Sequence, residues 1–305
     1  MRILVTGANG FIGKHLTNIL SVNNYQVTGS VRNKTKNYIT VGDINENTDW
    51  SKALKNVDVI IHLANRAHIM DDKSKNPEQE FFKINVKGFE KLIQDAKNTK
   101  VKQIIYLSSI KVNGERTFDK PFYYNDVISK PEDAYSYSKY EAEKILQKLA
   151  NKFNINWTII RPPLVYGKGV KGNFQLLLNL IKKGIPLPFA SINNKRSFIG
   201  VNNLCDLIMT CINNKKAYSQ IFLVSDNNDL SISELVYKIA SVINKKVIVF
   251  SFPVFLLKFL AKIFAKSSQI DRLSQSLRLN ITRTIERLNW QVPYSVKKEL
   301  KSLMK

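Results

Sequence analysis

The sequence is poor in the residues that build disulfide frameworks and metal clusters. It contains two cysteines and three histidines among 305 residues. Cys205 and Cys211 are too few for a disulfide framework, and their spacing on a predicted helix indicates buried, reduced thiols. His15, His62 and His68 are scattered along the chain, which argues against a histidine-rich metal site. We therefore predict neither disulfides nor a metal.

Long hydrophobic runs are also lacking. The longest uncharged apolar stretch, residues 247–257, contains Ser251 and Pro253. It is shorter than the roughly 20 residues that a transmembrane helix needs. At the amino terminus, Gly7 stands where a signal peptide would have its apolar core. These features predict a cytoplasmic protein.

Acidic residues are scarce. The chain has 24 Asp and Glu against 47 Lys and Arg, a formal net charge of +23. Such a surplus attracts nucleic acids, anionic membranes or phosphorylated small molecules. The lysines are spread over the whole chain, as in a general substitution bias. Because there is no nucleic-acid recognition motif and no basic patch interleaved with aromatic residues, we expect no nucleic-acid partner.

Strand-like and helix-like segments alternate through the first half of the chain. Runs of strand length and composition occur at 3–6, 26–31, 57–63, 103–108 and 157–161. Helical patterns lie between them at 11–20, 78–97 and 134–151. This alternation predicts an α/β fold, a Rossmann-type doubly wound parallel sheet covered by helices on both faces.

The pattern changes after Arg161, where prolines and glycines surround a predicted helix at 174–183. We predict a Rossmann domain over 1–166. A smaller, mostly carboxyl-terminal substrate-binding lobe then covers 167–305, with segments around 197–224 returning to the first domain.

Residues 253–266 are apolar except for Lys258, Lys262 and Lys266, which share one helical face. Two interpretations remain. The helix packs on the smaller lobe with its lysines in water, or it lies on an anionic membrane and gives a weak surface association.

A glycine-rich turn lies between the first strand and the first helix. Gly7, Gly10 and Gly13 permit a tight turn, close approach of backbone to a pyrophosphate, and close packing of helix on strand. The helix amino terminus offers free N–H groups and a positive dipole end to phosphates. This arrangement predicts a dinucleotide site.

The end of the second strand bears on the choice of cofactor. A carboxylate there would hold the adenosine ribose, and none is present. Ser30 and Arg32 suit a 2′-phosphate instead, which favours NADP(H). NAD remains an alternative because an arginine can also stack on adenine. Asp43 and Ile44, after the third strand, are placed to bind the adenine edge.

Tyr135 and Lys139 lie four residues apart at the start of a predicted helix and therefore share a face. A neighbouring ammonium and the positive nicotinamide of an oxidised cofactor favour the phenolate of a tyrosine, whose ordinary pKa is about 10. Such a tyrosine suits general acid–base chemistry at a sugar hydroxyl or carbonyl. Ser109, at a strand end, is placed to share that proton.

These motifs resemble those of the extended short-chain dehydrogenases/reductases, in the group of nucleotide-sugar epimerases, dehydratases and 4-ketoreductases of bacterial surface-polysaccharide biosynthesis. The resemblance covers almost the whole chain. Its motifs are the glycine turn, Gly42-Asp43, Ile61-His62-Leu63-Ala64, Asn85, Ser108-Ser109, Tyr135 to Lys139, and Arg161 to Gly167.

The resemblance implies a catalytic set of Ser109, Tyr135 and Lys139, with Lys139 also at the nicotinamide ribose. Besides Arg32, Asp43 and Ile44, the implied cofactor contacts are Gly7, Asn9, Gly10, Phe11, Ile12, Gly13, Leu63, Ala64 and Asn85. A UDP-sugar would contact Ser109, Lys111, Tyr135, Asn173, Arg196 and Arg272. The resemblance also implies a homodimer.

Dehydratases of this group carry an Asp-Glu pair after the catalytic hydroxyl, where this chain has Ile110 and Lys111. That difference argues against 4,6-dehydration. Our first interpretation is reduction of the 4-keto group of a UDP-4-keto-6-deoxy-N-acetylhexosamine by NADPH. The alternative is 4-epimerisation of a UDP-hexose or UDP-N-acetylhexosamine with retained NAD. The intact Ser109, Tyr135 and Lys139 argue against a regulator that binds cofactor without chemistry.

Overall fold

A computed structural model describes residues 1–66, 76–127, 131, 133–263 and 267–304. The strands are β1 (Arg2–Thr6), β2 (Gln26–Val31), β3 (Ile39–Thr40), β4 (Val59–His62), β5 (Gln103–Leu107), β6 (Asn156–Arg161), β7 (Leu164–Tyr166), β8 (Phe198–Gly200) and β9 (Gln220–Leu223). The helices are α1 (Phe11–Val22), α2 (Pro77–Phe82), α3 (Gly88–Ala96), α4 (Ala134–Lys152), α5 (Asn173–Lys182), α6 (Val201–Cys211), α7 (Ile232–Val242), α8 (Val254–Ile263), α9 (Ser267–Ser274), α10 (Thr282–Leu288) and α11 (Val296–Lys301). A π-helical turn, Lys83–Lys87, joins α2 to α3, and short 3₁₀ turns cover Ile110–Val112, Lys215–Ala217 and Ser302–Met304.

Seven strands form a parallel sheet in the order β3-β2-β1-β4-β5-β6-β9. The central register pairs Val5 with Ile61, and Ile61 with Ile105. These strands are apolar because helices cover both faces of a parallel sheet. The predicted Rossmann-type doubly wound sheet is confirmed. A separate parallel pair, β7 and β8, lies outside this sheet.

Three apolar clusters hold these layers together. The first combines residues of α1 and α6 with one face of the sheet, and it also contains Leu277, Ile281 and Trp290 near the carboxyl terminus. The second combines α3 and α4 with residues of β4, β5 and β6. The third joins α5, α7 and α11. The smaller lobe therefore has a core of its own.

The segment predicted to return to the first domain contains β8, α6 and β9. Strand β9 is the edge of the large sheet next to β6, and residues of α6 belong to the first apolar cluster. The division at residue 166 remains a prediction.

Asparagine replaces glycine at many chain reversals. Within the described ranges, seven asparagines have positive φ: Asn24, Asn56, Asn154, Asn213, Asn227, Asn244 and Asn289. Five of them follow the ends of α1, α4, α6, α7 and α10. Asparagine tolerates the left-handed conformation that ends many helices, so a chain with only 12 glycines still closes its turns.

No helix within the described residues combines the length and the apolar character required to cross a membrane.

Candidate active site

The glycine-rich turn links β1 to α1 as the sequence predicts. The backbone N–H groups of Gly7 and Ala8 donate to the Ser30 carbonyl at 2.9 and 3.2 Å. Gly7 has φ +67°, and a Cβ on Gly13 would lie 2.2 Å from the Gly7 carbonyl oxygen. Gly10 precedes α1 without a side-chain cap. The first N–H groups of α1 are therefore left for an anion such as a pyrophosphate.

A cleft of about 460 Å³ opens at the carboxyl ends of β1, β2 and β4. Most of the predicted cofactor contacts line it: Gly7, Asn9, Gly10, Arg32, Asp43, Ile44, Leu63 and Ala64. Others of the set, Phe11, Ile12, Gly13, Asn85 and Lys139, are not among its described lining residues. The Phe11 ring instead packs between the first and third apolar clusters.

Ser30 and Arg32 lie on the adenosine side of the predicted site. The buried Ser30 hydroxyl lines the cleft and has no hydrogen-bond partner within the described protein. Arg32 Nη1 lies 3.8 Å from Asp43 Oδ1, and both side chains are mostly exposed. The glycine cradle and the orphaned Ser30 hydroxyl fit a phosphate-bridged dinucleotide.

Asn85 lies in the π-helical turn and connects the wall of the cleft to α4 by hydrogen bonds. Its Oδ1 accepts from the Arg66 N–H at 2.7 Å, and its Nδ2 donates to the Arg66 carbonyl at 3.1 Å. The same Nδ2 donates to Ser138 Oγ at 2.9 Å. These bonds fix the loop after β4 against the helix that carries Tyr135. A π-turn of this kind often occurs at a functional site.

Thr6 organises the cleft wall formed by Leu63 and Ala64. Its Oγ1 accepts from the Leu63 and Ala64 N–H groups, both at 3.1 Å, and lies 2.9 Å from His62 Nδ1. Burial and the charge of Lys139 lower the pKa of His62 to about 3. His62 is therefore a neutral, packed residue.

The predicted catalytic residues come together between β5 and α4. Tyr135 is the second residue of α4, whose amino terminus is capped by Asp133 Oδ1 accepting from the Ser136 N–H at 2.9 Å. The Ser109 hydroxyl hydrogen-bonds with Tyr135. One turn along α4, Lys139 Nζ lies 6.0 Å from the Tyr135 ring centroid and donates to the Leu107 carbonyl at 2.9 Å.

Burial dominates the electrostatics of this group. It raises the pKa of Tyr135 to about 12; the Ser109 hydrogen bond opposes that rise, whereas the Asp133 charge adds to it. Burial lowers the pKa of Lys139 to about 7, against the attraction of Glu143. We expected a neighbouring ammonium to lower the pKa of Tyr135. The surrounding protein raises that pKa instead. Tyr135 keeps its proton at neutral pH.

A buried ion pair lies close to Lys139, and the sequence analysis did not predict it. Glu143 and Arg161 form two hydrogen bonds, Nε to Oε1 at 2.9 Å and Nη2 to Oε2 at 2.6 Å, with both side chains 2% exposed. Ser108 Oγ donates to Glu143 at 2.5 Å, and Arg161 Nη1 donates to Asn113 Oδ1 at 3.0 Å. The signal in the sequence is a glutamate one helical turn after Lys139.

A second cavity, of about 770 Å³, lies near the predicted catalytic residues and includes Lys111, Glu115 and Ser136 in its lining. Lys111 Nζ pairs with Asp133 Oδ2 at 2.7 Å and with Glu115 Oε1 at 2.5 Å. Burial raises the pKa of Asp133, but the charge and hydrogen bond of Lys111 and the hydrogen bond from the Ser136 N–H outweigh it and hold that pKa well below its usual range. Lys111 thus lies in a charged cluster beside Tyr135.

The other predicted substrate residues are placed differently. Asn173 opens α5, and its buried Oδ1 has no hydrogen-bond partner among the described residues. Arg196 Nη1 donates to the carbonyl of Gln275, a residue that lines the second cavity. The backbone of Arg272 is in α9, but its side chain lies outside the described part of the chain.

A parallel Rossmann-type sheet, a glycine cradle for a dinucleotide and a Ser-Tyr-Lys group with a buried lysine define an enzyme of the nicotinamide-dependent class. Residues 3–224 match the NAD dependent epimerase/dehydratase family. The UDP-glucose 4-epimerase of Vibrio cholerae is 44% identical over 306 residues, covering 98% of this chain and 93% of that protein. The chain belongs to the NAD dependent epimerase/dehydratase family and is an NAD-dependent epimerase or oxidoreductase.

Two further comparisons agree with this assignment. The N-acetyl-alpha-D-glucosaminyl-diphospho-ditrans,octacis-undecaprenol 4-epimerase of Escherichia coli O157:H7 is 28% identical over 80% of this chain and 73% of its own length. A crystal structure of UDP-glucuronic acid 4-epimerase from Bacillus cereus in complex with NAD superposes with a TM-score of 0.78 at 21% identity, covering 99% of this chain and 95% of that one. The resemblance to extended short-chain dehydrogenases/reductases is confirmed.

Proposed function

We propose that this protein is a UDP-sugar 4-epimerase that uses NAD. The observation that carries the proposal is the 44% identity to a UDP-glucose 4-epimerase over nearly the full length of both chains. Of the two activities expected from the sequence, this is the alternative, and the comparisons favour it over the 4-ketoreductase.

Inversion at C4 requires that the O4 proton leave and later return. A dinucleotide held by the first cleft would supply reversible hydride transfer through its nicotinamide and, in its oxidised form, a positive charge. Tyr135 is the group that removes and returns the O4 proton, and Ser109, hydrogen-bonded to it, holds O4 in place. Lys139 fixes the helix turn behind Tyr135 through its bond to the Leu107 carbonyl.

Burial of Tyr135 and Lys139 makes both groups sensitive to an added charge. The buried lysine and the buried tyrosine each favour their neutral form. A positive charge placed beside Tyr135 favours the phenolate, so proton removal is coupled to the oxidised state of the site. This coupling suits a reaction that runs in both directions at one hydroxyl.

The residues after Ser109 do not provide the acid and base of a 4,6-dehydratase. Ile110 is buried and apolar, and the ammonium of Lys111 is paired with Asp133 and Glu115. The 4-epimerase and the 4-ketoreductase therefore remain as the two activities that these groups support.

For the UDP moiety, we propose that the orphaned Asn173 Oδ1 and the guanidinium of Arg196 provide contacts. Asn173 Oδ1 is a hydrogen-bond acceptor and therefore suits an N–H of the base, whereas the backbone N–H groups at the uncapped start of α5 favour an anion. Lys111, already in the lining of the second cavity, is proposed to face the sugar.

The test combines cofactor analysis with turnover. Freshly purified protein is denatured, the released nucleotide is identified by mass spectrometry, and UDP-glucose and UDP-N-acetylglucosamine are incubated with native protein without added cofactor. We expect about one NAD per chain and formation of the corresponding 4-epimer, followed by NMR. An empty cofactor site, with turnover only of a UDP-4-keto sugar on added NADPH, would support the reductase instead.

A further inference from the structure

Helix α8 has an apolar side that is exposed in the described part of the chain. Val254 and Leu257 pack against the third apolar cluster. Phe255 and Phe259, one turn apart, are 75% and 60% exposed. Side chains at this spacing share one face of a helix. Helix α8 therefore anchors itself on one side and presents two phenylalanines on the other.

The chain on either side of α8 adds to this surface. Residues 248–250 run beside Leu187, with the Leu187 N–H donating to the Ile248 carbonyl at 2.9 Å and the Phe250 N–H donating to the Leu187 carbonyl at 3.0 Å. Ile248 is 63% exposed and Phe250 is 40% exposed. We define the α8 face as Ile248, Phe250, Phe255 and Phe259. Several exposed large apolar groups on neighbouring segments mark an interaction surface.

Exposed lysines lie on α8 and on the segments that precede Leu187 and Ile248. Lys182 and Lys183 end α5, Lys245 and Lys246 precede Ile248, and Lys262 lies on α8 itself. Among the described residues none of these five forms an ion pair, so their charges are available to a partner. The chain as a whole carries +23. A partner that suits this surface has an anionic outer layer and an apolar interior.

We propose that the α8 face docks onto an anionic phospholipid bilayer. Phenylalanines that enter the boundary between headgroups and acyl chains, with lysines at the phosphates, are the components of an interfacial helix. The helix has 10 residues, which suits lying in the interface and not crossing it. The lysines also argue against a second copy of this chain, because two such faces would repel each other.

An ion pair connects α8 to the lining of the second cavity. Lys258 Nζ on α8 pairs with Asp271 Oδ1 on α9 at 3.1 Å. Asp271 and Gln275 line that cavity. The proposed membrane contact and the substrate side of the site are therefore joined through one ion pair between adjacent helices.

The experiment is co-sedimentation of the full-length holoenzyme with vesicles of phosphatidylcholine alone or with about a third phosphatidylglycerol. The test variant is Phe255→Ser/Phe259→Ser. Val22→Ser, which removes a 73% exposed apolar residue from α1, is the matched control. We expect the wild type and the control to bind the anionic vesicles, and the double variant to lose binding at least tenfold. Vesicle binding should weaken at high salt.

Melting temperature and epimerase activity toward a UDP-sugar in solution should be the same in all three proteins, so a loss of binding is not a loss of folding. Equal vesicle binding by the wild type and the double variant, or no binding by the wild type, would overturn the proposal. Sedimentation velocity tests whether the α8 face instead joins two copies of this chain. If the double variant dissociates an oligomer of the wild type, the α8 face is a contact between copies of this chain, and the proposal is wrong.

Discussion

Two opposing influences act on the pKa of the Tyr135 hydroxyl. Burial favours its protonated form, and the Ser109 hydrogen bond favours the phenolate. Lys139, which the sequence suggests as the cation that tips this balance, is itself driven towards its neutral form by burial. The spacing of Tyr135 and Lys139 can be read from the sequence. Their pKa values cannot, because they depend on how much water the surrounding segments exclude.

Replacement of Tyr135 by Phe should lower the 4-epimerase rate by about 10²-fold to 10⁴-fold, since the general acid–base group is lost. Bound NAD should stay near the wild-type amount because Tyr135 does not line the first cleft. Tyr140→Phe, on the same helix, is the control and should change the rate less than about twofold. A Tyr135→Phe variant with more than a tenth of the activity would show that another group moves the proton.

Asn154 provides a test of backbone conformation at a single residue. It follows α4 with φ +56°, and its side chain is exposed. Asn154→Ala should destabilise the protein by about 1 kcal/mol because alanine tolerates the left-handed region poorly. Asn154→Gly should cause no such loss. Urea unfolding of the three proteins measures the difference, and equal losses for both substitutions would contradict this account.

At the scale of elements, Glu143 on α4 and Arg161 on β6 tie the helix that carries Tyr135 to the sheet. Eighteen residues separate them, and nothing in a single sequence says that the two charges meet. Asn113 extends the link by donating to the carbonyls of Tyr123 and Asp126, at 2.8 and 2.5 Å. Polar groups buried so completely stabilise a structure only while every one of them is paired.

Removing one member of the pair should therefore cost more than removing both. Glu143→Met leaves the Arg161 guanidinium buried without its carboxylate, and we expect a loss of about 3–5 kcal/mol. The double variant Glu143→Met/Arg161→Met should lose less than either single variant. Unfolding free energies from a double-mutant cycle measure the coupling. Additive losses would show that the two side chains act independently.

The periodicity of the sequence predicts strands at 26–31 and 103–108 and a helix at 134–151, close to the observed β2, β5 and α4. It predicts one continuous helix at 78–97, but the structure has α2, a π-helical turn and α3. The π-turn contains Asn85, whose side chain hydrogen-bonds with Arg66 and Ser138. These contacts join segments that are far apart in the chain. The local pattern of apolar residues therefore cannot predict these contacts.

At the scale of the whole molecule, the carboxyl terminus closes onto the middle of the chain. Glu299 on α11 accepts from the Asn203 N–H at 2.9 Å and from Asn202 Nδ2 at 2.9 Å, at the start of α6. A Cβ on Gly200 would lie 2.2 Å from the Glu299 carboxyl carbon. Asp226 is buried close by and adds its negative charge.

This carboxylate should make stability depend on pH. Burial, the largest influence, raises the pKa of Glu299 to about 7, above the ordinary value for a glutamate. Its contribution is complete below about pH 4.3 and is lost as the pH rises through 7. We therefore expect Glu299→Gln to gain thermal stability relative to the wild type between pH 5 and pH 8. Glu286→Gln, which removes the same charge from an exposed position, should show a constant difference.

The first apolar cluster has a consequence for how the protein is made. It packs residues of β1, α1 and β4 together with Leu277, Ile281, Leu288 and Trp290. Leu277 to Trp290 are translated long after β1, α1 and β4. The dinucleotide-binding half therefore leaves the exit tunnel with part of its interior still unsynthesised. Its apolar surface stays open to water until residues 277–290 have been translated.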